Sequence, residues 1–432
     1  MHTKNIIKSN KMEINDDFKK IFSFIKNTNE TVFITGKAGT GKSTFLEYFK
    51  ENSRKKVVIT APTGIAALNV SGQTIHSFFG LSWGLLKKDD IYPSRKREDL
   101  LKAIDTLVID EVSMVRVDLL EAIDQVFRIN IGKDIPFGGK QVIFIGDLFQ
   151  LSPVIKETEL NKYFEPRYGG HYFFNADVFN EIKPVCFELT KIYRQKDKDF
   201  ILLLDRIRRD EMTSKDLILL NSRVQTDKQQ KQKHLILGTT NRLVDNINRE
   251  HLEEIKSKGY EYEAIIRGEF RQDSYPTYYN LKLKKGAQVM LVKNDKYKRW
   301  VNGTLGVVDD INEIFITVNI DGNKYEVLQE TWEQYAYDYD SRTNGIEKKI
   351  VGEFIQYPIK LAWAVTIHKS QGHTFDNIII DLGRGAFAHG QVYVGLSRCR
   401  TLEGISLERA IRPRDIIFDK SIYGYMDKFI KC

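Results

Sequence analysis

The chain has 432 residues, 42% hydrophobic and 29% charged, with 25 Phe and 20 Tyr. That is globular composition, enough for two to four domains of roughly 100–200 residues, and it excludes disorder as a description of the whole chain. The 66 basic residues exceed the 58 acidic ones, a formal net charge of +8, which permits a polyanionic partner but equally serves solubility.

No apolar run approaches the roughly 18–20 residues that span a bilayer, so no membrane anchor is expected. The N-terminal stretch carries acids and no apolar h-region, unlike a secretory signal or transit peptide. Cys186, Cys399 and Cys432 are far apart and form no CxxC pair. Neither a disulfide framework nor a zinc site is therefore expected, and a reducing cytoplasm fits.

In chain order, residues 31–35, 56–60, 106–110 and 141–145 are short apolar runs bounded by turn chemistry. They predict strands buried on both faces. Helical stretches lie between them, which is the βαβ rhythm of a doubly wound parallel sheet. A strand over 234–239 and a helix over 241–256 resume the rhythm, which then breaks. Residues 260–357 are rich in Tyr, Lys, Gly and Asp, with apolar runs at 286–292, 300–308 and 315–327. The hairpin dipeptides Asn302-Gly303 and Asp321-Gly322 accompany them, predicting a small antiparallel β-barrel. The α/β texture returns at 360–365 and 377–382. The expected organisation is one α/β domain over 1–190, a second built from 191–257 and 358–432, and a barrel over 258–357 inserted into the second.

Gly36-Lys37-Ala38-Gly39-Thr40-Gly41-Lys42-Ser43 fits G-x-x-x-x-G-K-[ST], after a strand and before a helix that continues with Thr44. Glycines let backbone N–H groups approach phosphates, and the helix N-terminus adds partial positive charge. Lys42 suits the β/γ-phosphates and the Ser43 hydroxyl suits Mg²⁺. Asp110 and Glu111 end a later apolar run. An Asp there can hold Mg²⁺ and a neighbouring Glu can polarise an attacking water, although solvated carboxylates at a strand end are common. Gln150, in Gly146-Asp147-x-x-Gln150, can sense a γ-phosphate, orient water or be an ordinary loop residue. Arg194 and Arg398 can each stabilise transition-state charge, but position alone does not select them among 66 basic residues. The segment 395–399 lacks the closing Gly of a nucleophile elbow.

The order and spacing of these segments resemble superfamily 1 helicases, above all the petite-integration-frequency (Pif-type) DNA helicases, relatives of the RecD-like enzymes. The resemblance covers about 30–430. It rests on the P-loop, on 61–80 and 109–115, on 136–154 with its Gly-Asp-Leu-Phe-Gln-Leu-Ser-Pro, on 189–195, on 363–376 and on 392–400. It implies two RecA-like P-loop domains, a short wedge insertion at about 77–97 and an SH3-like barrel in the second domain. It implies ATP and Mg²⁺ as cofactors, held by Gly36, Ala38, Gly39, Thr40, Gly41, Lys42, Ser43 and Thr44, with Ser43 and Asp110 on the metal. Glu111 would activate water, Gln150 would contact the γ-phosphate, and Arg194 and Arg398 would be arginine fingers. One departure is that 15–19 lacks the upstream Gln with which the family reads adenine.

The resemblance further implies 5′-to-3′ movement on single-stranded DNA and unwinding of forks, G-quadruplexes or RNA–DNA hybrids. Genome maintenance, including repair, recombination and telomere maintenance, is the implied role. A monomer is expected, and the compact core points to a bacterial or phage source. Candidate strand contacts are Thr63, Gly64, His76 and Phe78 (with Ser77) in the first domain, and Thr240, Asn241, Thr366, His368 and Lys369 in the second; Thr, Lys and backbone N–H suit phosphates. Phe78, Phe79 and Trp83 either form the wedge or pack on the parent domain. Residues 296–300 interleave bases with aromatics and either touch DNA or form a solvated hairpin. A nucleotide-gated DNA-binding switch and a small-molecule kinase remain the alternative readings.

Overall fold

The computed structural model describes residues 15–82, 84–153, 155, 157–224, 234–340, 342–343 and 345–429. Six strands, β1 (Val32–Gly36), β2 (Val57–Ala61), β3 (Gln73–Thr74), β4 (Thr106–Ile109), β5 (Gln141–Ile145) and β6 (Val185–Leu189), form one sheet in the order β3-β2-β4-β5-β1-β6. Every pairing in it is parallel. β1, β4 and β5 are buried along their whole length, which is why they read as unbroken apolar runs rather than alternating ones. Because the strands are parallel, the carboxyl ends of these three neighbours share one edge. The P-loop, Asp110 and Asp147 follow directly from them, and ligands of open α/β sheets sit at that edge.

β7 (Leu235–Gly238) begins the second α/β unit. Between it and that unit's return lie β8 (Gly259–Glu263), β9 (Ile265–Gly268), β10 (Asn280–Lys284), β11 (Gln288–Leu291), β12 (Leu305–Ile311), β13 (Ile316–Ile320), β14 (Asn323–Val327), β15 (Glu330–Asp340), β16 (Gly345–Gln356) and β17 (Ile359–Leu361). β18 (Ala364–Thr366), β19 (Ile378–Asp381) and β20 (Ile405–Leu407) then complete a parallel sheet in the order β18-β7-β19-β20. The intervening strands include a five-stranded antiparallel sheet, β14-β13-β12-β11-β17, with its own apolar core around Trp300, Val318 and Tyr357.

The two hairpin dipeptides behave differently. Asp321 and Gly322 both have positive φ, 49° and 88°, and join β13 to β14 as a two-residue turn requires. Asn302-Gly303 instead lies in a longer connection between β11 and β12. There the Asn302 N–H donates to Asn294 Oδ1 (2.7 Å) and Trp300 Nε1 donates to the Lys293 carbonyl (3.2 Å).

Two features have no clear signal in the sequence. β15 and β16 form a long hairpin whose strands mix Tyr with acids and lysines, so no apolar run marks them. The hairpin reaches across to the first sheet's edge. Tyr337 N–H donates to Gln73 Oε1 (3.2 Å), and the Tyr337 hydroxyl accepts from Ile59 N–H (3.3 Å). Lys348 Nζ donates to the Ser71 carbonyl, and the Tyr337 ring meets Phe78 edge-on at 5.8 Å. The second feature is the C-terminal helix Ser421–Phe429. The expected second domain ran to residue 432, yet this helix packs into the core of the first. Tyr425 stacks on Phe174 at 4.3 Å and meets Phe33 and Phe173 edge-on. Aromatic burial outweighs chain order here.

No helix among the described residues is long and apolar enough to cross a membrane.

Tyr425→Ala would leave a large cavity in that core. It is expected to cost about 3–5 kcal/mol, as for other buried aromatic truncations, read as a lowered urea midpoint of the first domain.

Candidate nucleotide and strand-binding site

β1 delivers the P-loop and the helix Lys42–Asn52 carries it away. Gly39 and Gly41 have φ of 81° and 90°, which side chains rarely adopt. A Cβ on Gly39 would also stand 2.5 Å from Arg194 Cβ. Gly41 is the helix N-cap and offers no side-chain cap. The first-turn N–H groups therefore stay available to an anion, reinforced by the helix dipole. Lys42 is half-buried, and its Nζ donates to the Gly36 (2.7 Å) and Lys37 (3.2 Å) carbonyls. Burial lowers its pKa, against the pull of Asp147 and Glu111.

Asp110 follows β4, and its N–H donates to the Thr60 carbonyl at 2.9 Å. Burial, with Glu111 next to it, pushes the Asp110 carboxyl up to about 7. Glu111 is raised too, chiefly by burial, although Lys42 and Arg398 pull it down. Glu111 has φ 49°, a left-handed conformation that a non-glycine residue holds at a cost of order 1–3 kcal/mol. Beyond β5, Asp147 accepts from Arg208 Nη2 (3.1 Å) and from Gln150 Nε2 (3.2 Å). Burial alone would raise the Asp147 pKa, but Arg208 and Lys42 outweigh it and hold the carboxyl below its usual range.

The second α/β unit closes over this edge. Ala38 N–H donates to the Tyr393 hydroxyl at 3.1 Å. Arg194 Nη1 and Gln195 Nε2 both donate to the Ser397 carbonyl (3.2 and 3.0 Å). Arg398 is buried, with Nε donating to the Val394 carbonyl (2.9 Å) and Nη2 to Ser397 Oγ (2.8 Å). Burial and then the neighbouring Arg194 lower its pKa to about 9. Lys42, Arg194, Arg208 and Arg398 thus converge where two of the three carboxylates, Asp110 and Glu111, are pushed towards neutrality. Arg208 and Arg398 are buried and Lys42 and Arg194 half-buried, and this concentration of positive charge favours a polyanion.

Arg208 and Tyr393 were not among the expected site residues. Arg208 sits in an Arg-rich run without a motif, and only the fold shows that its guanidinium lies 4.1 Å from the Phe149 ring and pairs with Asp147. The stretch 15–19, where the family's adenine-reading Gln is expected, begins with the helix cap. Asn15 caps its helix through Oδ1 (2.8 Å to Phe18 N–H), while its Nδ2 donates to the Tyr193 hydroxyl (3.2 Å).

A cleft of about 590 Å³ runs from Ser43, Asp110 and Glu111 to Thr63, Thr240, Asn241, Thr366, His368 and Lys369. The structure brings these candidates together from both α/β units. Thr63 and Thr240 also cap helices, Oγ1 accepting from Ala66 and Leu243 N–H at 3.2 Å each, and Thr366 Oγ1 accepts from Lys369 N–H (3.2 Å) in the turn after β18. Gly64, His76 and Phe78 do not line the cleft. Gly64 abuts Ser274, and His76 is buried. Phe78 and Phe79 pack edge-on at 4.8 Å in the first core, so neither offers an open ring face to a base. Trp83 lies outside the described residues. In 296–300, Arg299 pairs with Asp295 (2.6 Å) and covers the Trp300 ring at 4.4 Å, so most of that pattern is consumed internally.

Two parallel sheets joined across a P-loop, with arginines from the second reaching the first, define the class of tandem RecA-like P-loop proteins. A family model described as PIF1-like helicase matches residues 13–218. The Xenopus laevis "ATP-dependent DNA helicase PIF1" is 34% identical, covering 89% of this chain and 60% of that protein. The Bdellovibrio bacteriovorus "ATP-dependent DNA helicase Pif1" is 32% identical, covering 93% of this chain and 89% of that one. The solved structure of Bacteroides sp Pif1 in complex with ADP-AlF4 superposes with a TM-score of 0.88 at 39% identity, covering 96% of this chain and 97% of that chain. The same protein bound to ssDNA gives 0.70 at 40% identity, with 96% of each chain covered. The chain belongs to the PIF1-like helicase family. It spans about 60% of the Xenopus relative's length and nearly all of the bacterial ones.

Gly39→Ala should abolish nucleotide binding, measured with a fluorescent ATP analogue, because both its φ and Arg194 oppose a side chain. Arg208→Gln should destabilise the protein by about 3–5 kcal/mol by orphaning the buried Asp147 charge. Adding Asp147→Asn should recover much of that loss in a urea-unfolding double-mutant cycle.

Proposed function

We propose that the protein is an ATP-driven DNA helicase that moves 5′ to 3′ along single-stranded DNA and separates strands ahead of it. The observation that carries this reading is the continuity of one cleft from the P-loop edge to Thr240, Thr366 and Lys369. Phosphate chemistry at one end and strand contacts at the other are lined by the same two α/β units, so a change in their separation is felt at both.

In this reading the loop 36–43 cradles the triphosphate and Lys42 leaves its carbonyl partners for the β/γ-phosphates. Ser43 and Asp110 would hold Mg²⁺, which neutralises phosphate charge. Both are oxygen donors, and no cluster of three or more His, Cys, Asp or Glu among the described residues could hold a metal unaided. That fits an ion completed by phosphates and water. Glu111 accepts the proton of the attacking water and Gln150 orients it. Arg194 and Arg398 stabilise charge on the transferring phosphoryl group. When the product phosphate leaves, the buried cations lose their counter-charge and the two units separate, so grip on the strand alternates.

Phosphate contacts without base reading suit single strands and forks, and the family resemblance extends the proposal to G-quadruplexes and RNA–DNA hybrids. A solved structure 39% identical to this chain is described as showing unwinding at forked dsDNA "by two coordinating Pif1 helicases"; for this chain we infer action as a monomer. A role in genome maintenance, through repair, recombination or telomere upkeep, and a reducing cytoplasm complete the reading; Cys186 and Cys399 are buried.

ATP hydrolysis should rise strongly with single-stranded DNA and vanish in Lys42→Ala. Glu111→Gln should bind ATP and DNA but turn over at least a hundredfold more slowly. Turnover equal with and without DNA would overturn the motor, and DNA-stimulated turnover without fork unwinding would leave a nucleotide-gated switch instead.

A further inference from the structure

Phe387 is 58% exposed, an unusual state for a phenylalanine flanked by buried helix and strand. It lines the cleft with Thr240, Thr366 and Lys369, and it is the one Phe, Tyr or Trp among the cleft's described lining residues. Nothing in the sequence singled it out, because it sits in the glycine-punctuated loop 383–390 with no motif of its own.

The loop's far end is tied to the nucleotide site. Phe387 N–H donates to Gln391 Oε1 (3.1 Å), and Gln391 Nε2 donates to the Thr239 carbonyl (3.2 Å). His389 is buried with Nε2 at 3.2 Å from the Leu148 carbonyl. Gly390 presses so closely on the first domain that a Cβ there would lie 2.4 Å from the Phe149 carbonyl and 2.7 Å from that of Gln150. The short helix Gln391–Leu396 starts at this anchor. It carries Tyr393 to the P-loop amide of Ala38, and its Val394 carbonyl receives Arg398.

We propose that Phe387 is a base-stacking platform for a single-stranded nucleic acid in this cleft, and that its loop transmits base occupancy to Gln150 and Arg398. The inference rests on the helicase reading and adds a contact to the bases themselves. Thr240, Thr366 and Lys369 suit phosphates, whereas a phenyl face accepts any base, so grip would gain strength without sequence preference. Displacing Phe387 moves Gly390 and Gln391, which have no slack against Phe149, Gln150 and Thr239.

The test compares a dT oligonucleotide with an abasic strand of the same length, by fluorescence anisotropy with the full chain. Phe387→Ala should weaken binding of the dT strand about tenfold and leave abasic binding unchanged. Because the side chain is exposed, its thermal unfolding midpoint should not move. Phe387→Trp should restore dT binding, and its indole emission should be quenched by the dT strand but not by the abasic one. DNA-stimulated ATPase of Phe387→Ala at saturating dT strand should stay below wild type, the signature of lost transmission. Equal affinities of wild type and Phe387→Ala for dT, or equal losses on both strands, would overturn the stacking role while leaving the helicase reading intact. Failure of the wild type to bind either strand would overturn the helicase reading itself.

Discussion

The buried pair between Asp147 and Arg208 is the constraint on which the rest of the structure depends. Asp147 follows the central sheet of the first domain, and Arg208 ends a helix packed in the core of the second. Their side chains are almost wholly removed from solvent, so neither charge tolerates separation without replacement. The pair joins the two α/β units in this arrangement. Gln150 shares Asp147 through its amide, and Asp147 also pulls on Lys42 against the desolvation that lowers its pKa. An anion entering beside Lys42 changes the balance for every charged group in the site.

That electrostatic imbalance connects fold to function. Burial raises Asp110 and Glu111, while Arg398 sits next to Arg194 with its own pKa depressed. Such groups are held in unfavourable states by the surrounding structure, which is how sites store the capacity to respond to a ligand. The left-handed Glu111 backbone adds strain at the same place. These tensions cluster where three parallel strands end, because only there do three chain segments with chemistry in their turns emerge side by side.

Elsewhere the domains are held together by contacts of a softer kind. The β15–β16 hairpin touches the edge of the first sheet mainly through Tyr337 and Lys348, and the C-terminal helix returns aromatic rings to the first core.

Local chemistry was legible from the residues alone. Fully buried parallel strands read as apolar runs, the P-loop carries its glycines and lysine at obligatory spacing, and Asp321-Gly322 names its own turn. The acids after β4 and the Gln after Asp147 could be nominated because they sit at strand ends, and the pattern of segments pointed to the right family. What periodicity and spacing leave open is any contact whose partner is distant in the chain. Arg208 is one arginine among many until Asp147 meets it, Phe78 and Phe387 are both simply phenylalanines, and Tyr425 gives no hint that it belongs to a core built some 250 residues or more earlier. Burial and charge pairing are properties of the packed molecule. The sequence by itself determined which segments carry phosphate chemistry, because backbone geometry and spacing are local; only the tertiary structure decided which aromatic is exposed, which cation is paired and which helix crosses between domains, because those depend on what the other side of each contact supplies.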